Sequence, residues 1–368
     1  MDIQFINLKA QYRAYKDEID TAIQEVLDSS AYIMGPSVHT LESNLGAFCN
    51  ARYVRAVSSG TDALLIALMA LGIQKDDEVI TTPFTFIATA EMIALLGAKP
   101  VFVDIDEATY NIDPSKIESA ISPRTKAIIP VSLYGLPADM DSINAIANAH
   151  NIAVIEDACQ SFGATYKGKY SCNLSTIGVT SFFPSKPLGC YGDGGAVFCN
   201  DEALDSKIGS ILNHGQIGRY MHKYIGLNGR LDSIQCAVLN AKLKHFHQEI
   251  AKREEIAHIY TRNLKNLILP QIPSDRTSVY AQYSVRLADE RFTREKVLDM
   301  LQNKGIPTAI HYPLPLHLQE SLAYLGYKQG AFPVSERISR EIFSLPFSAF
   351  LSEQEQSYII ESLNALLS

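Results

Sequence analysis

With 368 residues, the chain is too long for one simple core and predicts two domains. Its 47% hydrophobic and 20% charged residues are those of a globular protein. The net charge of −8 argues against a general nucleic-acid binder but leaves room for a locally positive pocket.

Met1-Asp2-Ile3-Gln4 has neither the basic nor the apolar region of a secretion signal. No apolar run reaches the roughly 20 residues of a membrane helix. Tyr12, Tyr15, Ile19, Ile23 and Val26 recur at spacings of three and four, which predicts helix within the first 50 residues. Short β runs follow at 53–57, 78–81, 100–103, 127–131, 152–156, 180–183 and 196–199. Helical stretches at 62–71, 89–96 and 141–150 separate them. Several runs are almost continuously apolar, as in strands covered on both faces. The alternation predicts an α/β fold with a large, mostly parallel seven-stranded sheet and helices on both sides. From Leu231 the texture changes. Leu231, Ile234, Val238, Ala241, Phe246 and Ile250 mark one long amphipathic helix. A strand at 279–287 and helices at 293–304 and 353–366 complete a smaller α+β domain. The expected division is 1–249 and 250–368, with the first 50 residues free to join the small domain instead of the sheet. Six cysteines without a C-x-x-C pair read as reduced thiols of a cytoplasmic protein.

In open α/β sheets, ligands sit at the carboxyl ends of the strands. The run 152–156 delivers Asp157, then Gln160; Ser181 closes the sixth run, and Lys186 follows five residues later. An acid at the end of a buried strand and a lysine in a later loop is the layout of a pyridoxal phosphate enzyme. The amine forms a Schiff base with the cofactor aldehyde, and the acid pairs with the pyridinium nitrogen. Alone, Asp157 reads equally as a helix N-cap. Gln160 is placed to reach the ring hydroxyl. Ser58-Ser59-Gly60-Thr61 leads into a helix and offers N–H groups to a phosphate, although by itself it reads more readily as an ordinary cap. Phe86 could stack on a flat ring or simply fill the core. The Gly192-Asp193-Gly194-Gly195 turn supports the lysine. Arg230 could bind an anion bidentately or lie on the surface. His311-Tyr312-Pro313 sets two polar aromatics near the edge of the second domain. No H-E-x-x-H, G-x-S-x-G or early G-x-G-x-x-G occurs, which argues against a zinc site, a serine hydrolase and a nicotinamide dehydrogenase.

Taken together, these segments resemble the DegT-type sugar-nucleotide aminotransferases, a fold-type-I pyridoxal phosphate family built like aspartate aminotransferase. The resemblance runs through Phe5-Ile6-Asn7-Leu8-Lys9, Ser59-Gly60-Thr61-Asp62-Ala63-Leu64 and Pro83-Phe84-Thr85-Phe86. It continues in Glu156-Asp157-Ala158-Cys159-Gln160-Ser161, the lysine segment, Asn228-Gly229-Arg230-Leu231-Asp232 and His311-Tyr312-Pro313. It implies that Lys186 is the Schiff-base lysine and proton shuttle and that Asp157 pairs with the ring nitrogen. Gln160 would contact the ring hydroxyl and Phe86 would stack. Gly60, Thr61 and Ser181 would hold the phosphate, joined by the partner subunit's Asn228 in a homodimer with shared sites. Arg230, His311 and Tyr312 would lie near the sugar nucleotide. Family members that lack the lysine dehydrate instead, so Lys186 favours transamination.

Ser171-Cys172-Asn173-Leu174-Ser175-Thr176, the stretch 180–195 and Ser278-Val279-Tyr280-Ala281-Gln282-Tyr283 are similar to one subgroup. That subgroup aminates UDP-2-acetamido-2-deoxy-3-oxo-glucuronate with glutamate, for the diacetamido-uronic acids of bacterial surface polysaccharide (lipopolysaccharide O-antigen). Two other functions stay open: a 4-keto hexose nucleotide aminotransferase and a cofactor-binding regulator without turnover.

Overall fold

The computed structural model describes residues 3–289 and 291–368. Seven strands build the main sheet: β1 (Tyr53–Val57), β2 (Glu78–Thr81), β3 (Lys99–Phe102), β4 (Thr125–Ile128), β5 (Ala153–Asp157), β8 (Ile177–Ser181) and β9 (Gly195–Cys199). A short hairpin, β6 (Thr165–Tyr166) and β7 (Lys169–Tyr170), interrupts the series. The order is β1-β9-β8-β5-β4-β2-β3. The five strands from β8 to β3 are parallel, and β9 runs antiparallel to both of its neighbours. This is the predicted mostly parallel seven-stranded sheet.

The fourth strand ends at Ile128 rather than Val131 because Pro130 has no N–H to give the ladder. Pairing resumes beyond it, where Val131 bridges Asp157.

Alternation along the strands divides the core. On one face, Val57, Val79, Ile129, Ile155, Val179 and Val197 pack under α4 (Gly60–Leu71), α5 (Ala88–Leu95) and α7 (Glu202–Ile211). On the other, Ala56, Ala196 and Phe198 meet α3 (Pro36–Cys49) and α8 (Ser233–Leu243), while Ile80, Ile128 and Val154 meet α6 (Met140–Ala149). Both faces are covered, as apolar strands require.

Before α3 come α1 (Leu8–Ala14) and α2 (Lys16–Ser29); Ile19 of α2 packs on Val238 and Ala241. The single long helix expected from Leu231 is two, α8 and α9 (Phe246–Asn263), parted at Lys244-His245. The His245 ring stacks on Tyr15 at 4.3 Å and its Nε2 meets Glu18 at 2.7 Å. The change of direction takes Ile256, Ala257 and Tyr260 into a second core. That core is built on a three-stranded sheet of β12 (Leu267–Ile268), β13 (Tyr283–Leu287) and β14 (Ile342–Leu345). It also takes Val297 and Leu301 of α10 (Arg294–Asn303) and Ile359 and Leu363 of α12 (Glu353–Leu366). Ile3 belongs to this second core, and Phe5 O accepts Phe347 N at 3.0 Å. The strand expected at 279–287 covers only its last five residues. Val279 N instead bonds Gly135 O, and Tyr280 takes a φ of 46°, which no strand residue adopts. The chain also forms a hairpin of β10 (Gln216–Gly218) and β11 (Met221–His222) beside α7, and α11 (Pro333–Glu341) before β14. The six cysteines are free. Among the described residues, no helix is long and apolar enough to cross a membrane, and no cluster of metal-ligating side chains occurs.

Candidate active site

The carboxyl ends of β1, β5 and β8 open into one cavity of about 480 Å³. Gly60, Thr61, Phe86, Asp157, Gln160, Ser181, Lys186, His311 and Tyr312 all line it. Residues spread over 250 positions of chain are thus gathered at the place where an open α/β sheet binds ligands.

Asp157 lies at the base of the cavity, 4% exposed. Thr89 Oγ1 donates to its Oδ2 at 2.8 Å, and Cys159 N donates to its Oδ1 at 3.2 Å. Donors on both oxygens fix the carboxylate in orientation and leave it lone pairs for a ligand. Sequence reasoning missed Thr89, because a threonine in the first turn of an apolar helix carries no signal of its partner. Replacing it with valine conserves shape but removes the donor. We expect Thr89→Val to lower turnover about tenfold while the protein stays folded, since one hydrogen bond to a charged group is worth about 1.5–3 kcal/mol. Unchanged steady-state rates would show that Asp157 needs no such fixing.

Lys186 stands in the loop after β8, its backbone turned by a bond from its N to Phe183 O at 2.8 Å. Burial pulls its amine below the ordinary lysine value, opposed by Cys159 and Asp157. The Cys159 thiol is pushed well up by burial first and Asp157 second, so it stays neutral.

The anion cup lies across the cavity. Ser59 is the N-cap of α4, its side chain accepting from Asp62 N at 3.0 Å. The helix therefore starts two residues before the sequence predicts. Gly60 and Thr61 lie in its first turn, where N–H groups have no helical acceptor and the dipole favours an anion. A Cβ on Gly60 would fall 2.6 Å from Ser181 Cβ and 3.0 Å from Cys159 Sγ. A Cβ on Gly195 would fall 2.5 Å from Ser59 O, which explains the glycine turn beside the lysine loop.

The amide of Gln160 is held at both ends. Its Oε1 accepts Tyr134 N at 2.7 Å, and its Nε2 donates to Tyr312 Oη at 3.2 Å. One amide hydrogen remains to be given away. Tyr134, another residue the sequence did not reveal, is buried with a φ of 56° and donates its hydroxyl to His311 O. It ties Gln160 to the segment that carries His311 and Tyr312. Burial, then Lys186, lowers the His311 pKa, so its imidazole is neutral near pH 7; its Nδ1 is 3.0 Å from Ser344 Oγ. Sequence left Phe86 open between a stacking face and the core. Phe84 is the core residue at 0% exposure, and Phe86 stands in the cavity wall at 55%.

Asn228 and Arg230 do not line this cavity. Their backbone is tied to the neighbouring structure, with Ser58 N bonding Gly229 O at 2.9 Å. Asn228 is exposed, and Arg230 Nη1 donates to Asn213 Oδ1 at 2.5 Å, while its buried Nε has no partner among the described residues.

A fixed carboxylate, a desolvated amine, an anion cup and an open aromatic face in one cavity fit a pyridoxal phosphate. Asp157, Lys186, the Gly60–Thr61–Ser181 cup and Phe86 are the residues that would hold it.

Comparison with known proteins identifies the family. A model of the DegT/DnrJ/EryC1/StrS aminotransferase family matches residues 13–364. The UDP-2-acetamido-2-deoxy-3-oxo-D-glucuronate aminotransferase of Pseudomonas aeruginosa is 52% identical over 363 residues, spanning 98% of this chain and 99% of that protein. A DegT DnrJ EryC1 StrS aminotransferase from Brucella abortus has the same fold, with a TM-score of 0.96 at 40% identity over 100% of both chains. Bacillus subtilis ntda, with bound cofactor pmp, gives a TM-score of 0.89 at 32% identity, covering 96% of this chain and 82% of that one.

Proposed function

The chain belongs to the DegT/DnrJ/EryC1/StrS aminotransferase family, and we propose that it moves an amino group from glutamate to the 3-keto carbon of UDP-2-acetamido-2-deoxy-3-oxo-glucuronate. The observation that carries the substrate is the 52% identity, across nearly the whole of both chains, to the Pseudomonas enzyme of that name. The cavity supports the chemistry.

Pyridoxal phosphate, when bound, supplies an aldehyde for an amine and a ring that accepts electrons from a carbanion. Lys186 would hold the cofactor aldehyde through Nζ and, as a free amine, would take the proton from the α-carbon of glutamate. In the second half the same Nζ delivers a proton to C3 of the sugar. One lysine acting as base and acid needs no separate catalytic histidine, in keeping with His311 being neutral. Asp157 would keep the ring nitrogen protonated, and the spare Gln160 hydrogen would go to the ring hydroxyl. Gly60, Thr61 and Ser181 bind the phosphate, and Phe86 covers the ring. His311 and Tyr312 meet the sugar nucleotide. The step serves bacterial surface polysaccharide and takes place in the cytoplasm.

We place Asn228 and Arg230 in the site of the other copy of a homodimer. They lie outside their own cavity, and the neighbouring segment exposes Ile217 (56%), Tyr220 (80%), Met221 (62%) and Ile225 (85%), an apolar patch of the kind found at interfaces. This gives a complementation test. Lys186→Ala and Arg230→Ala proteins should each be inactive alone. Under subunit exchange, a mixed dimer carries both lesions in one site and neither in the other, so activity should return. No recovery with exchange verified by mass would mean that Arg230 does not act across the interface.

The substrate is tested by giving the cofactor-loaded protein glutamate with 3-keto or 4-keto UDP-sugars and identifying the amino sugar by mass spectrometry. A 3-amino uronic acid product is expected. Amination of 4-keto sugars alone would overturn the substrate, and cofactor binding without any amination would indicate a regulator.

A further inference from the structure

The least expected charge in the large domain is Lys242. It is 1% exposed and among the largest fully buried side chains. Its Nζ donates to Gly189 O at 2.6 Å and sits 4.3 Å from the centre of the Tyr191 ring. Glu249 is the acid that favours its charge most, but that carboxylate is already engaged. Gln11 Nε2 donates to both of its oxygens at 3.0 Å, and Tyr15 also bonds to it. Among the described residues no carboxylate forms an ion pair with Lys242. A buried ammonium without one is costly unless its hydrogen bonds serve a purpose.

Its hydrogen bond to Gly189 O and its contact with the Tyr191 ring both fall on the loop that carries Lys186. That loop is drawn tight: Cys190 N bonds Phe182 O at 2.8 Å, and a Cβ on Gly189 would fall 2.6 Å from Pro184 O. A second residue of α8, Gln235, accepts Tyr191 N at 2.8 Å through its Oε1. Gln235 and Lys242 are seven positions apart, two helical turns, and so reach out from one face of α8. The helix grips the loop at two successive points.

We propose that Lys242 is a positioning residue: through the Gly189 carbonyl and the Tyr191 ring it holds the 186–191 loop, and with it the Lys186 amine, in place for the cofactor aldehyde. The inference rests on Lys186 being the lysine that holds the cofactor. Burial brings Lys242 to about 8, with Glu249 and Cys190 acting to keep the charge. The charged form therefore prevails at neutral pH.

The test uses cofactor-loaded full-length protein with Lys242→Met, which keeps the length but removes the donor and the charge, and Lys242→Arg, which keeps the charge. Circular dichroism checks folding. Borohydride fixation of the cofactor, followed by visible absorbance and located by mass spectrometry, reports on Lys186 directly. In Lys242→Met we expect fixation at Lys186 to slow about tenfold and kcat to fall on the order of 10²-fold, with KM for both substrates little changed. Lys242→Arg should restore much of the loss. A folded Lys242→Met protein that fixes cofactor at the normal rate overturns the proposal. If that variant does not fold, Tyr191→Leu decides by the same readouts, since Tyr191 is 38% exposed. Slowed fixation supports the proposal and unchanged fixation overturns it. Fixation on another lysine in the unsubstituted protein would instead overturn the role given to Lys186.

Discussion

Lys186→Ala protein is expected to bind pyridoxal phosphate without a covalent link and to lose transamination by on the order of 10⁴-fold, the upper range for a residue that acts as general base and acid. The fold should survive, because the cup at Gly60, Thr61 and Ser181 and the carboxylate of Asp157 are built by other elements. The loss is not one of binding, so KM should change much less than kcat. Two checks follow. Borohydride should fix cofactor on Lys186 in the unsubstituted protein and on no residue in the variant, by peptide mass spectrometry. The pH dependence of linkage has a definite sign. Burial lowers the Lys186 pKa, so its neutral, reactive amine appears at lower pH than for an exposed lysine. The rate of linkage to added cofactor should rise with pH and level off below the ordinary lysine range. A plateau only in that range would contradict a desolvated amine, and a variant that still turns over would remove Lys186 from the mechanism.

Asp157→Asn should lower turnover on the order of 10²–10³-fold in a protein that folds normally. An amide cannot keep the ring nitrogen protonated, and breaking a buried charge pair costs about 3–5 kcal/mol. If most of that falls on the transition state, the rate drops by this factor. Folding is protected by the local hydrogen bonds. The amide oxygen can still accept Cys159 N, and the Thr89 hydroxyl can turn from donor to acceptor to meet the new NH₂. Circular dichroism and the thermal midpoint should therefore change little while kcat falls. Near-normal kcat in the folded variant would reduce Asp157 to a residue that caps the chain after β5.

The features that sequence alone determined are local. The run ending in Asp157, the glycine that opens α4, the serine that closes β8 and the lysine five residues later are read directly from short segments, because strand periodicity and helix starts are written in neighbouring residues. The seven strands followed from the same signals. Tertiary structure decided the rest. It put Phe86 in the cavity wall instead of the core, since whether an aromatic is buried depends on what packs over it. It broke the helix at Lys244-His245, where a continuing apolar period hides a change of direction toward the second core. It brought Thr89 to Asp157, Tyr134 to Gln160 and Lys242 to Gly189. Those bonds join side chains and backbone far apart in the chain, and such pairings leave no period or motif in the residues that make them. A buried polar side chain declares its purpose only when the groups packed around it are known.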